Sequence, residues 1–331
     1  MQETKKERVK DLRRFLDEGF VQKQPKVTKR WDPSARKLRV VSEPAQWPDQ
    51  YIHHALIQVL QPTLMRGMDP YCCGSIRGRG TRHGKQAIER WMMKDRKGTK
   101  YEFSGDIYHF YDSLKPEIVM KRMRRLFKDR RVLDLIWRVV KNGVLIGAYP
   151  SQWFANTVLQ PLDQLIRQSG LCSHYIRYMD NLTVFGPNKR KLRKLRALVE
   201  EWLGGCGLAL KGDWQVFPTK HRMPDAVGYR YGRGYTIPRK HNLLRLKRAI
   251  ARYRKRIAER MAASILSRCG QLRHCCNVNL YRILFRGERI IRELKAIIRD
   301  GRRKERITWS MYLEQRAKWR SLKPRGAPIP T

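Results

Sequence analysis

The stretch HYIRYMDNLTVF, residues 174–185, decides how this sequence reads. Two apolar, β-prone runs flank Asp180 and Asn181. Both residue types tolerate positive φ, so the pattern predicts a tight hairpin with Asp180 at its tip. A lone Asp in a tight turn is ordinarily a turn residue and nothing more. A second carboxylate upstream changes that reading. Residues 101–107, YEFSGDI, alternate with a period of two, which predicts a strand ending at Asp106. If that strand lies beside the hairpin, the two carboxylates converge. Two hard oxygen ligands on rigid strands, completed by a substrate triphosphate, make a Mg²⁺ site. Two such ions about 3.5–4 Å apart stabilise both the attacking and the leaving oxygen of an in-line phosphoryl displacement.

Outward from this centre, Pro116 opens a helix to about Phe127 and residues 132–140 form another. Ser151 is the expected N-cap of a helix carrying Trp153, Phe154, Leu159, Leu162 and Leu165. Further upstream, KLRVV (37–41) reads as a strand, and a helix follows from about Asp49 through Leu60. Pro62 and the Gly/Arg-rich run 74–84 break that pattern before a helix over about 85–93. After the hairpin comes a basic amphipathic helix, about 188–203, then short strands at 214–217, 227–231 and 235–237. In the last segment Leu243, Leu246, Ile250, Tyr253, Ile257 and Met261 recur every three or four residues, with Arg and Lys opposite.

Charge narrows the class. The 331 residues carry 73 Lys and Arg against 29 Asp and Glu, a formal net of +44. So large a field repels itself unless a polyanion neutralises it, and nucleic acid is the natural partner. Basic residues are spread through the whole chain and interleave with apolar ones, which argues against a solvated tail. Hydrophobic content of 41% is enough for a core and two or three subdomains. No stretch reaches the ~20 apolar residues that span a bilayer, and MQETKKERVKDLRRF has no apolar signal core. The expectation is a cytoplasmic protein without a membrane partner. The seven cysteines include two vicinal pairs, Cys72-Cys73 and Cys275-Cys276, without metal-binding spacing, and read as reduced, mostly buried thiols.

The ordered motifs resemble those of bacterial and phage reverse transcriptases. GDIYHFYDSL (105–114) resembles motif A, IGAYPSQWFANTVLQPLD (146–163) motif B, and RYMDN (177–181) the YxDD box of motif C. KLRVVSEP, DQYIHHAL and CGSIRGRGTRHGKQAI resemble fingers motifs, and VGYRY (227–231) resembles the strand that grips the primer end. The resemblance spans about residues 36–260. Motif B reads IGxxxSQ rather than the commoner QGxxxSP, which looks like the reverse transcriptases of diversity-generating retroelements.

The resemblance implies an α+β right-hand polymerase of fingers, palm and thumb, with an antiparallel palm sheet flanked by helices. Its expected divisions are a basic N-terminal extension (1–35), fingers (36–98), palm (99–237, with a fingers-type helical insertion at about 115–145), and a basic helical thumb and tail (238–331). It implies an RNA-directed DNA polymerase, a nucleotidyltransferase acting on an RNA template, a DNA or RNA primer and dNTPs, with error-prone cDNA synthesis. Asp106 and Asp180 would be catalytic metal ligands, with the carbonyl of Ile107, for Mg²⁺ or alternatively Mn²⁺. Tyr111 resembles the steric gate against a 2′-OH. Lys37, Arg39, Arg77 and Arg79 are candidates for the triphosphate clamp, since Arg forks match phosphate oxygens. Ile146, Gly147 and Gln152 would face the nucleotide, Tyr178, Met179 and Asn181 would frame Asp180, and Gly228 and Tyr229 would grip the primer. An apolar Ile146 in place of the family's usual Gln removes a hydrogen bond that helps fix substrate geometry, which weakens discrimination.

Asn181 departs from the family box, where a second Asp is usual. Activity is expected to survive with an altered metal preference; a dead enzyme is the alternative. Other readings are a group II intron-like or defence-associated reverse transcriptase, and a non-catalytic RNA-binding scaffold on the polymerase fold. No nuclease or integrase domain is legible, and a small basic accessory protein is a partner implied by resemblance alone.

Overall fold

A computed structural model describes residues 5–32, 37–255, 259–272 and 274–275, together with Leu284, 291–300 and Glu314. The chain divides into two compact units, residues 1–234 and 235–331. The first begins with α1 (Lys5–Asp17), β1 (Lys26–Asp32), β2 (Lys37–Glu43), α2 (Tyr51–Met65) and α3 (Thr81–Lys94). It continues with β3 (Tyr101–Asp106), α4 (Phe110–Ser113), α5 (Pro116–Leu126), α6 (Arg130–Val140) and α7 (Tyr149–Gln168). It closes with β4 (His174–Tyr178), β5 (Asn181–Gly186), α8 (Lys189–Gly205), β6 (Gln215–Pro218), β7 (Asp225–Ala226) and β8 (Tyr229–Gly232).

The central sheet has the order β4-β5-β3-β6, and every pairing in it is antiparallel. This is the antiparallel sheet flanked by helices that the motifs implied. Helix α8 packs on β3 and β5, and α7 packs on α2, α5 and α8. The core joins Phe103, Leu182 and Val184 of the sheet to Phe154, Leu159 and Leu162 of α7 and to Leu192, Leu195, Val199 and Leu203 of α8. Each of these fully buried side chains contributes roughly 1.5–3 kcal/mol. Local chemistry sets the helix starts. The Asp129 carboxylate accepts from the amides of Arg131 and Val132 at the start of α6, and Asn188 does the same for Arg190 and Lys191 at α8.

Several elements differ from the expectations. Residues 26–32, read as part of a charged extension, form a strand paired in register with β2. Helix α2 runs through Pro62 to Met65 rather than stopping before it, and α3 starts at Thr81. Ser151 is not a cap. Ala148 is the N-cap, Pro150 sits in the first turn where its missing N–H costs nothing, and Ser151 is buried inside α7. In the hairpin, positive φ (57°) falls on Met179 rather than on Asp180 or Asn181. The segment 227–231 is not one strand: Val227 and Gly228, both with positive φ, form the turn between β7 and β8.

The second unit holds β9 (Tyr235–Pro238), α9 (Lys240–Lys255) and α10 (Glu259–Leu272). Its core contains Leu246, Ile250, Tyr253, Ala262, Ile265 and Leu272. Of the helix expected over 243–261, residues 243–255 lie in α9 and 259–261 in α10, while 256–258, with Ile257, lie outside the described residues. Among the described residues no helix is long and apolar enough to cross a membrane.

Candidate active site

The sheet brings the two sequence-predicted carboxylates to one corner. Asp106, the last residue of β3, is the register partner of Asn181, the first of β5. The Ile107 amide donates to the Asp180 carbonyl at 3.2 Å, so the strand end and the hairpin turn are joined main chain to main chain. Asn181 Nδ2 donates to Asp180 Oδ1 at 3.1 Å. Where a second aspartate would repel Asp180, this amide orients its carboxylate instead.

Tyr111 reaches the same corner from the one-turn helix α4. Its hydroxyl is buried and has no hydrogen-bond partner. Burial first, and then the charge of Asp180, push that hydroxyl above its ordinary value, against an opposing pull from Arg177. The phenol therefore stays neutral and lies within the field of Asp180. Lys211, which no sequence pattern singled out, also belongs here. Its amide donates to the Asp106 carbonyl at 2.7 Å. Its ammonium is held above the usual lysine value by its hydrogen bond to Asp213, with Asp106 adding to the effect.

The turn that presents Asp180 is fixed from beneath. Arg177 of β4 has no exposure, and its Nε and Nη2 donate to the two oxygens of Asp163 on α7, both at 2.7 Å. Its Nη1 donates to Asn156 Oδ1 and to the Met179 carbonyl, both at 2.9 Å. Burial alone would push this guanidinium down; the Asp163 carboxylate outweighs it and holds Arg177 charged. Sequence reading missed Arg177 and Asp163 as a pair. The only signal was the placement of each inside a motif.

The other predicted residues are distributed around this corner. Gly147 has φ +117°, and a Cβ there would lie 2.9 Å from the Ser42 carbonyl of β2. The Ile146 carbonyl accepts from the Ser42 amide at 2.9 Å, so the β1–β2 ribbon is tied to the turn before α7. Gln152 is exposed on the first turn of α7. Arg77 and Arg39 are exposed, whereas Arg79 Nη1 donates to the Asp69 carbonyl at 3.0 Å, which gives it a structural duty. Lys37 opens β2, and its side chain lies outside the described residues. Tyr178 precedes the turn half-buried, Gly228 is in the β7–β8 turn, and Tyr229 is buried after it.

The donor set can be tested against a metal. Among the described residues no group of three or more His, Cys, Asp and Glu is placed to hold an ion. Two carboxylates and a main-chain oxygen fit a hard cation that keeps water and substrate oxygens as its remaining ligands. Soft thiolate chemistry is not offered. Burial pushes Cys72 up to about 11 and Cys73 up to about 12, so both remain thiols at neutral pH.

The sequence matches the family model of the reverse transcriptase (RNA-dependent DNA polymerase) over residues 25–217, more than half of the chain. The chain belongs to the reverse transcriptase family. The match begins one residue before β1 and ends inside β6, so it contains both the strand that ends at Asp106 and the hairpin turn that carries Asp180. The chain is 25% identical over 135 residues to Protein YkfC of Escherichia coli (strain K12), covering 37% of this chain and 28% of that protein. The telomerase of Candida tropicalis in complex with a fragment of telomeric RNA superposes with a TM-score of 0.51 at 10% identity, over 79% of this chain and 56% of that one. The apo telomerase of the same organism gives a TM-score of 0.49 at 12% identity, over 69% and 52%. The chain thus spans about a quarter of the curated relative and about half of the telomerase chains. The first of these telomerase superpositions supports a polymerase fold.

Proposed function

We propose that this chain is an RNA-directed DNA polymerase that extends a primer on an RNA template at a divalent-metal site held by Asp106 and Asp180. The observation that carries the reading is the Ile107–Asp180 main-chain bond, which joins the strand end bearing Asp106 to the turn bearing Asp180. When bound there, Mg²⁺, or Mn²⁺ in its place, supplies charge stabilisation for the attacking and leaving oxygens. Asp106, Asp180 and the Ile107 carbonyl would hold it. Tyr111 lies under the sugar position and excludes a 2′-OH. Arg77, with Lys37 and Arg39 of the ribbon, neutralises the triphosphate, and the many other basic residues track the template and primer phosphates. Gly228 and Tyr229 hold the primer end.

The finer reading is error-prone cDNA synthesis of the diversity-generating retroelement kind, working with a small basic accessory protein. It rests on the IGxxxSQ form of motif B. Ile146 leaves the nucleotide without a polar contact, and discrimination weakens as a consequence. Primer extension on an RNA template, with Mg²⁺ or Mn²⁺, tests both levels. Wild type is expected to copy the template, Asp180→Ala to fall to background, and Ile146→Gln to misincorporate less at template adenines. Tight RNA binding without synthesis by wild type would refute the polymerase reading. Equal error rates in wild type and Ile146→Gln would refute the finer one.

A further inference from the structure

We propose that Arg177 is a positioning residue for the reaction: with Asp163 and Asn156 of α7 as its anchor, it holds the turn that presents Asp180. The inference rests on the proposed role of Asp180 as a metal ligand. It starts from a question of energetics. Burying a guanidinium and a carboxylate is a poor way to gain stability, because desolvation offsets most of their attraction. A well-packed apolar pair in the same volume would serve the core equally well. What an apolar pair lacks is the third arm of the fork. Two Arg177 nitrogens are taken by Asp163, and the remaining one bridges Asn156 and the Met179 carbonyl.

That carbonyl belongs to the residue under most strain in the hairpin. Met179 has φ +57°, a region that costs a residue with a side chain roughly 1–2 kcal/mol. The conformation needs holding, and the geometry supplies it from three directions. The Arg177 fork, reaching from β4 and anchored on α7, fixes the carbonyl. Gly74 lies directly beneath: a Cβ there would sit 2.7 Å from the Met179 amide nitrogen and closer still to its sulfur. Arg177 itself is pinned through its main chain, donating to the Tyr71 carbonyl at 3.1 Å and accepting from the Cys73 amide at 2.8 Å. Asn156 Nδ2 closes the arrangement by donating to the Gly74 carbonyl at 2.8 Å. Asp180 follows Met179 directly, so a change in the turn moves the carboxylate. A misplacement of about 1 Å in a reacting site lowers the rate on the order of 10²-fold.

The experiment uses the full chain and the double variant Arg177→Met with Asp163→Leu. Wild type and variant are both compared in a Tyr175→Phe background, which removes the buried hydroxyl that donates to Asp163 Oδ1 at 2.6 Å; both charges then leave together, the volume stays filled, and only the polar hold on the turn is lost. It is read by primer extension, giving kcat and KM for dNTP and the Mg²⁺ requirement, and by hydrogen exchange of peptides covering 174–186. The expected result is a thermal midpoint and RNA binding close to wild type, kcat lower by roughly 10²-fold, little change in KM for dNTP, a raised Mg²⁺ requirement, and faster exchange confined to the hairpin. Wild-type kcat with unaltered hairpin exchange would overturn the inference. Where the double variant does not fold, Arg177→Lys replaces it. That variant keeps the charge opposite Asp163 but cannot reach Asp163 and Met179 together. It must show the same kcat loss and hairpin exchange, and wild-type values would overturn the inference equally. If wild type itself makes no cDNA, the polymerase reading fails, and hairpin exchange alone decides whether Arg177 holds the turn.

Discussion

Glu102 gives the structure its clearest dependence on pH. It lies in β3, four residues before Asp106, with no exposure and with neither carboxylate oxygen hydrogen-bonded. Burial, with the charge of Asp225 adding and Arg222 opposing, pushes it up from 4.5 to about 8. The folded chain therefore holds Glu102 protonated at neutral pH. Between 4.5 and about 8 the folded state binds a proton that the unfolded state has released. Stability from this group is therefore complete below 4.5 and falls as pH rises toward 8, then levels. At 1.36 kcal/mol per pH unit, the whole window amounts to on the order of 5 kcal/mol. In Glu102→Gln the side chain keeps its size and stays neutral at every pH, so this contribution disappears. The expected outcome of urea unfolding is that the variant gains on wild type steadily from pH 5 to about pH 8, by several kcal/mol in all, and no further to pH 9, around whatever constant offset the amide brings. A stability difference that stays flat across that range would show that Glu102 is ionised or paired in the fold, and would sink the reasoning.

Other perturbations test the corner itself. Gly147→Ala introduces a Cβ 2.9 Å from the Ser42 carbonyl at φ +117°, and is expected to destabilise the first unit by about 1–3 kcal/mol while detaching the ribbon from the α7 turn, measurable as a lower thermal midpoint and weaker dNTP binding. Asn181→Asp replaces the amide that donates to Asp180 with a like charge; the expected outcome is tighter divalent-metal binding and a reduced preference for Mn²⁺, read from metal titrations of primer extension, and an unchanged metal profile counts against Asn181 facing the ion.

The carboxylate corner was legible because it is written in local patterns. Alternation over 101–107 and the apolar, β-prone runs on either side of Asp180 mark the strands, and register then brings Asp106 beside the turn. The position of the positive φ was not legible. Asp and Asn prefer it intrinsically, yet Met179 adopts it, because Gly74 beneath and Arg177 beside it fix the turn through contacts remote in sequence. Strand β1 escaped notice for a different reason. KVTKRWD belongs to a two-stranded ribbon whose side chains are mostly exposed, with Val27 at 61% and Trp31 at 59%, so no face of it carries a burial signal. Arg177 was hidden by abundance: one of 73 basic residues, it reads like a surface charge until the fold shows it enclosed by α7 and β4. Ser151 was misread because Pro150 presets the first turn, and the cap lies three residues upstream, at Ala148.

The tie between the ribbon and the α7 turn has an evolutionary corollary. It is made by the main-chain carbonyl of Ile146, whereas the adjacent Gly147 is confined by its backbone angle and by the Ser42 carbonyl against it. The tie itself therefore makes no demand on the side chain at 146, whereas a side chain at 147 is strained. A lineage can exchange the side chain at 146, and with it the copying accuracy proposed to depend on it, while the scaffold is inherited unchanged. The side chain proposed to set copying accuracy and the glycine that fixes the backbone are separated by a single peptide bond.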